Sequence, residues 1–163
     1  MDGTSRSEPV EWRLRPAAAS DVEAIAELRA VVMRADLEQL GRFDPYRVRQ
    51  RFRDAFRAED TSVIVAGDGF AGCVAVRHAA DGWWLEHFYL APGLQGRGVG
   101  SGVLGAVLAR GDAEGAVVRL NVLRGSPARR LYERHGFTVE SQDPVDVFMV
   151  RRPGGAKPDP AGT

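Results

Sequence analysis

The run Leu90-Ala91-Pro92-Gly93-Leu94-Gln95-Gly96-Arg97-Gly98-Val99-Gly100 has the residue types for holding a phosphate. It follows an apolar, aromatic segment, Trp83 to Leu90, and leads into Val99, Val103, Leu104, Val107 and Leu108 at helical spacing. A strand therefore runs into a glycine-rich turn that opens a helix. Free backbone N–H groups and the positive end of the helix dipole then converge on one place, and the glycines leave room for a ligand to approach the backbone. A P-loop is excluded, because it needs a lysine after its second glycine and the one lysine here is Lys157. A dinucleotide fingerprint fails too. Starting at Gly96 and Gly98 puts Ser101 in the third glycine position, and starting at Gly98 and Gly100 puts Val103 there.

Two further side chains, Tyr132 and Glu86, carry titratable groups in well-defined segments. Tyr132 lies in Gly125-Ser126-Pro127-Ala128-Arg129-Arg130-Leu131-Tyr132-Glu133-Arg134-His135-Gly136-Phe137, after the strand-like Val117 to Leu123. Ser126 suits an N-cap, Pro127 a first helical position and Gly136 a left-handed helix stop. A phenol with a pKa of about 10 stays protonated and can donate a proton in a dry cleft. The plainer reading is a core tyrosine with one satisfied hydroxyl. Glu86 interrupts the aromatic strand, and strict alternation puts it on the face of Leu90, with His87 on the other. An isolated carboxylate there is costly unless it faces a cleft; it can act as a base, pair with an arginine or bind a cationic amine.

Gln95-x-x-Gly98-x-Gly100 resembles the pyrophosphate loop of the GCN5-related N-acetyltransferases, and Leu131-Tyr132-x-x-x-Gly136-Phe137 resembles the same family's second signature. The resemblance covers roughly Thr61 to Arg152, and more loosely the region from Ser20. It implies an α/β fold in a single domain, the acyl-CoA N-acyltransferase fold, with a mixed central sheet flanked by helices on both faces. It also implies acetyl-coenzyme A as cosubstrate, an amine as acceptor and direct transfer in a ternary complex. In that setting Tyr132 is the general acid, and Glu86 is the acidic candidate for the base. Phe88, Tyr89 and Leu90 would line the pantetheine arm chiefly through backbone, beside a bulge near Leu90. Gln95, Gly96, Arg97, Gly98, Val99, Gly100 and Ser101 would form the phosphate loop. Asn121 would contact pantetheine, and Arg129 and Arg97 would reach phosphates. Many relatives carry Asn before the tyrosine helix; here Ser126 stands in its place and its hydroxyl would substitute. No cysteine occurs in these motifs, which argues against an acyl-cysteine intermediate. A non-catalytic acetyl-coenzyme A sensor or partner module is the alternative, and thiol release on adding an amine separates the two.

The remaining sequence must position these groups. The 163 residues fit one domain, expected over 10–152, between a flexible N-terminus (1–9) and a loose tail (153–163). The formal net charge is zero, so no global field favours nucleic acid or anionic membrane. Cys73, the single cysteine, allows no internal disulfide and fits a reducing compartment. The polar, acidic N-terminus is unlike a secretory leader, and a cytoplasmic protein is expected. The three histidines have no metal-ligand spacing, so no metal is expected. Dimers are common among similar proteins.

The element order reads β-α-α-β-β-β-α-β-α-β-β. Strands are expected at Glu11–Arg15, Ser62–Ala66, Ala71–His78, Trp83–Leu90, Val117–Leu123, Phe137–Ser141 and Val145–Val150. Ser20-Asp21-Val22-Glu23 has capping-box form, and a second helix is expected within Pro45–Arg57, with Arg49, Arg53 and Arg57 on a solvated face. The family resemblance further implies that the segment between the first two helices, roughly Met33 to Arg53, walls the acceptor site. It carries Asp36, Glu38 and Asp44 but also Arg34, Arg42 and Arg47, so the acceptor's charge stays open.

Overall fold

The computed structural model describes residues 9–155. The expected order is the observed one: β1 (Trp12–Pro16), α1 (Val22–Gln39), α2 (Pro45–Ala55), β2 (Thr61–Ala66), β3 (Gly69–Ala79), β4 (Gly82–Leu90), α3 (Val99–Ala113), β5 (Val118–Leu123), α4 (Ala128–Arg134), β6 (Thr138–Gln142) and β7 (Asp146–Arg151). They build a seven-stranded mixed sheet in the order β1-β2-β3-β4-β5-β7-β6. All neighbours are antiparallel except β4 and β5.

Alternation along the strands feeds two cores. One face sends Ile64, Val74, Trp83, Leu85, Leu120 and Val122 against Val103, Leu104 and Val107 of α3 and Tyr132 of α4. The other sends Val63, Val65 and Cys73 against Ile25 and Ala26 of α1 and Phe52 of α2. The sheet is thus buried on both faces, as a helix-flanked mixed sheet requires.

Three local expectations are corrected. The Ser20–Glu23 capping box does not form. Asp21 instead accepts from the Ala18 N–H at 2.8 Å and pairs with Arg15, while Glu23 turns to Arg53 of α2. Arg53 and Arg49 are not a solvated row, since Arg49 grips Glu27 through two nitrogens as Arg53 grips Glu23, and these pairs fix α1 on α2. Exposed pairs stabilise weakly, so their work here is orientation. Finally, Pro153–Gly155 are not loose: the Gly154 N–H donates to Asp112 at 2.8 Å, and Arg151 clamps the same carboxylate from both sides of its fork. The expected flexible stretches 1–8 and 156–163 lie outside the described residues.

Candidate active site

The site begins where two strands part. β4 and β5 pair only through Trp83↔Val118 and Trp84↔Arg119. Beyond Trp84 the edge of β4 that faces β5 has no strand partner, so its backbone groups are open to an extended ligand. Between β3 and β4 the register slips: Cys73 faces Tyr89, but Ala75 faces Glu86. One extra residue therefore sits in β4, and His87 takes a φ of 47° there. This is a β-bulge with a left-handed residue.

The bulge overturns the alternation argument. Phe88 and Leu90 pack toward α3, on the side of Trp83 and Leu85, whereas Tyr89 joins the α1/α2 core. Glu86 and His87 both face the α1/α2 side, where Glu86 meets Arg77 at 3.1 Å and the His87 ring lies edge-on to Phe52. One inserted residue had moved every later side chain to the opposite face. A signal was present in the sequence at Gly72, a lone glycine inside a strand pattern. A Cβ there would stand 2.1 Å from the Tyr89 carbonyl oxygen, so only glycine admits the bulged strand.

The bulge is fastened by its neighbours. The Cys73 thiol donates to the His87 carbonyl at 3.0 Å. Arg29, buried on α1, donates from Nε to the Tyr89 hydroxyl at 2.9 Å and from Nη1 to the Val48 carbonyl. The Tyr89 hydroxyl also meets His87 Nδ1 at 3.0 Å. Burial pushes the Tyr89 phenol up to about 12, against the pull of Arg29. Burial likewise lowers the His87 pKa, and the Arg29 charge adds to it while Glu86 opposes. The imidazole is therefore held neutral. Its folded pKa lies below the unfolded value, so the unfolded chain takes up this proton first, and the stability from neutral His87 is lost as pH falls below about 6.5. The thermal midpoint should start to drop as pH falls below about 6.5, before the low-pKa carboxylates Asp21 and Asp112 protonate. His87→Asn, which tolerates positive φ and cannot titrate, should flatten that slope; an unchanged slope by differential scanning calorimetry would assign it elsewhere.

At the end of β4 the chain enters the glycine loop. Gln95 donates from Nε2 to the Leu90 carbonyl at 3.1 Å, so its side chain closes the loop. Gly96 and Gly98 have φ of 74° and 83°, and Gly98 is the left-handed N-cap of α3. A Cβ at Gly96 or Gly98 would meet nothing within 4 Å, which leaves a shallow, open cradle above the helix N-terminus. The residues present fit a diphosphate there.

A cleft of about 1610 Å³ joins these parts. It brings together Glu86, Phe88, Tyr89 and Leu90 of β4; Gln95, Gly96, Gly98, Gly100 and Ser101 of the loop and first turn; and Asn121, Ser126 and Tyr132. Arg97, Val99 and Arg129 are not on its wall. Val99 is in the core, leaving only its backbone amide for a ligand, and Arg129 pairs with Glu133 at 3.5 Å. Ser126 accepts from the Ala128 N–H at 3.2 Å, but it is not the expected N-cap: α4 starts one residue later than expected, so Pro127 takes the N-cap position, without a side-chain cap. Asn121 donates to Asp146 at 3.1 Å. Tyr132 is 8% exposed and packs its ring on Phe137. Among the described residues its hydroxyl has no hydrogen-bond partner, and the oxygen reaches the cleft. Burial raises its pKa well above the ordinary phenol range, and Tyr89 adds to the shift. The proton stays on at any working pH.

Sequence reasoning missed Arg29, Tyr89's hydroxyl and Arg77. None carries a motif, and only Arg29 left a trace, as a charge on the apolar face of α1 beside Ile25 and Ala26. Among the described residues no group of three or more potential ligands could hold a metal, and no helix is long and apolar enough to cross a membrane.

Comparison with known proteins gives a consistent picture. No curated protein matches the sequence. The PaiA N-acetyltransferase of Thermoplasma acidophilum, solved in complex with coenzyme A, superposes with a TM-score of 0.71 at 19% identity, over 87% of this chain and 99% of that one. PH1933 of Pyrococcus horikoshii gives 0.69 at 21% identity, over 87% and 98%. The ribosomal-protein-S18-alanine N-acetyltransferase of Escherichia coli gives 0.66 at 15% identity, over 90% and 97%. At these identities the likeness shows the fold. The family profile described as the acetyltransferase (GNAT) domain matches residues 56–139, which hold the bulged strand, the glycine loop and Tyr132. The chain belongs to the GCN5-related N-acetyltransferase family.

Proposed function

We propose that the protein transfers an acetyl group from acetyl-coenzyme A, the cosubstrate of its family, directly to a primary amine. The observation that carries this reading is the Tyr132 hydroxyl: buried, protonated, without a protein partner among the described residues, and on the same cleft as the glycine loop. A module that only binds has no use for it. When bound, acetyl-coenzyme A supplies an acyl thioester that an amine can attack, and it leaves as a thiol.

The chain's own groups do the rest. The Gly96–Gly100 backbone and the α3 N-terminus hold the phosphates. The free edge of β4 holds the pantetheine amides, and a β4 backbone N–H near Leu90 steadies negative charge on the carbonyl oxygen. Tyr132 donates its proton to the leaving sulfur. Glu86, oriented by Arg77, removes the proton from an acceptor arriving as ammonium, directly or through water. The protein acts in the cytoplasm on this reading.

The test is a panel of amines with acetyl-coenzyme A and a colorimetric thiol readout. Amine-dependent thiol release supports transfer; tight coenzyme A binding with no release from any amine favours the sensor. Glu86→Gln keeps shape and hydrogen bonding but removes basicity. Its rate should fall about 100-fold on the acid limb of the pH profile and recover as pH rises and the amine loses its proton unaided. A loss confined to the Michaelis constant would make Glu86 an anchor for the amine instead.

A further inference from the structure

The α1/α2 wall of the cleft is short of negative charge. Arg29 is 8% exposed, and its two hydrogen-bond partners, the Tyr89 hydroxyl and the Val48 carbonyl, are both neutral. Among the described residues it makes no ion pair, and Nη2 donates to nothing. Because among the described residues no fully buried side-chain nitrogen lacks a partner, Nη2 keeps some exposure, on a residue that lines the cleft. A buried cation with only neutral partners is costly, and an anion delivered by a ligand removes that cost. Outward from it stand Arg42 on the α1–α2 loop and Arg47 and Arg51 on α2, all exposed, all lining the cleft, and none in an ion pair among the described residues.

The carboxylates on the same side are mostly committed. Asp44 accepts from the Tyr46 and Arg47 N–H groups as the α2 N-cap, and Glu86 is held by Arg77. Asp143, near enough to Arg42 to feel its charge, caps the β6–β7 turn. Asp146 accepts from Asn121, which leaves Asp36 as the uncommitted carboxylate among the described residues of the cleft, against the four arginines of this wall. The phosphate cradle cannot explain them, for Arg29, Arg47 and Arg51 come from the helices on the opposite face of the sheet from α3.

We propose that the acceptor is a small primary amine carrying a carboxylate close to its amino group, the amine meeting Glu86 and the carboxylate meeting Arg29, with Arg42, Arg47 and Arg51 drawing the anion in. This rests on the acetyltransferase reading and names its substrate class. Arg29 and His87 share the Tyr89 hydroxyl, and Glu86 directly precedes His87, so the two groups that would meet such an acceptor sit on the same bulge. The planar fork of an arginine suits a carboxylate at that point.

The test compares wild-type kcat/KM on matched pairs, each an amino acid and its carboxamide, including glycine with glycinamide and glutamate with its α-amide. The acid should be preferred by about 30-fold or more, the scale for leaving a buried, hydrogen-bonding charge without its partner. Arg29→Gln should abolish the preference, but it strips support from Tyr89 and costs folded yield. The exposed pair Arg47→Glu/Arg51→Glu tests the field without that risk: KM for the acid should rise about ten-fold with kcat held, and added salt should mimic it in wild type. Arg13→Gln, on the exposed face of β1, should change nothing. Equal rates on acid and amide, or a preference for the amide or for peptides blocked at the C-terminus, overturn the proposal while leaving acetyl transfer intact. Thiol release with no amine at all overturns both.

Discussion

Tyr132→Phe should lower kcat by about 100-fold or more while barely moving coenzyme A affinity. The change removes one oxygen that the fold does not use. The hydroxyl has no partner among the described residues, so its loss orphans nothing, and the ring keeps its edge-on contact with Phe137 at 5.8 Å between centroids. Thermal stability should therefore stay close to wild type, which separates this variant from a packing mutant. Steady-state rates from thiol release, with calorimetric titration of coenzyme A, check both halves. Full activity would return Tyr132 to the core and leave the leaving-group proton to water.

Gly98→Val should cost coenzyme A binding on the order of 100-fold, roughly 2.7 kcal/mol. Two effects add. At a φ of 83° a β-branched residue is strained by about 1–3 kcal/mol, so the loop is expected to shift. Its side chain would also occupy the cradle that is open to solvent above α3. Gly100→Val separates these effects. Gly100 is helical, and its Cβ would meet only Leu131 and Leu90 at 3.8 and 3.9 Å, so the backbone can keep its course while the methyl groups crowd the phosphate. Both variants should lose affinity, and Gly98→Val should also lose thermal stability. Unchanged affinity in a well-folded Gly100→Val would move the phosphates off this loop.

The element order was legible because several boundaries carry local chemistry: Gly67-Asp68-Gly69 between two alternating strands, Pro45 at the start of α2, and the glycine loop before α3. The glycine loop at the start of α3 and the cleft-lining Tyr132 were legible for the same reason, since both lie in short contiguous motifs. The bulge was not. Alternation assumes one residue per step, and a single insertion at His87 reversed the faces of everything after it, so the reading of Glu86 and His87 as opposite was wrong. Nor were the pairs Arg49–Glu27 and Arg53–Glu23 legible, because their partners are 22 and 30 residues away and meet only after α1 and α2 pack. Arg29 shows the same limit. A cation on an apolar helix face announces itself, but its neutral partners, and so its appetite for an anion, appear only in three dimensions.

The single sulfhydryl that steadies the bulge has a practical corollary. Cys73 is 0% exposed, and burial pushes its pKa up to about 12. Disulfide reagents attack thiolates they can reach, so the native chain should be silent toward them. A colorimetric assay of liberated coenzyme A would then run with no contribution from the enzyme itself. Conversely, every molecule that opens β3 away from β4 gains one reactive group. The labelling rate in dilute denaturant thus becomes a stopwatch for the parting of these two strands, and it would report how often the bulge in β4 comes undone.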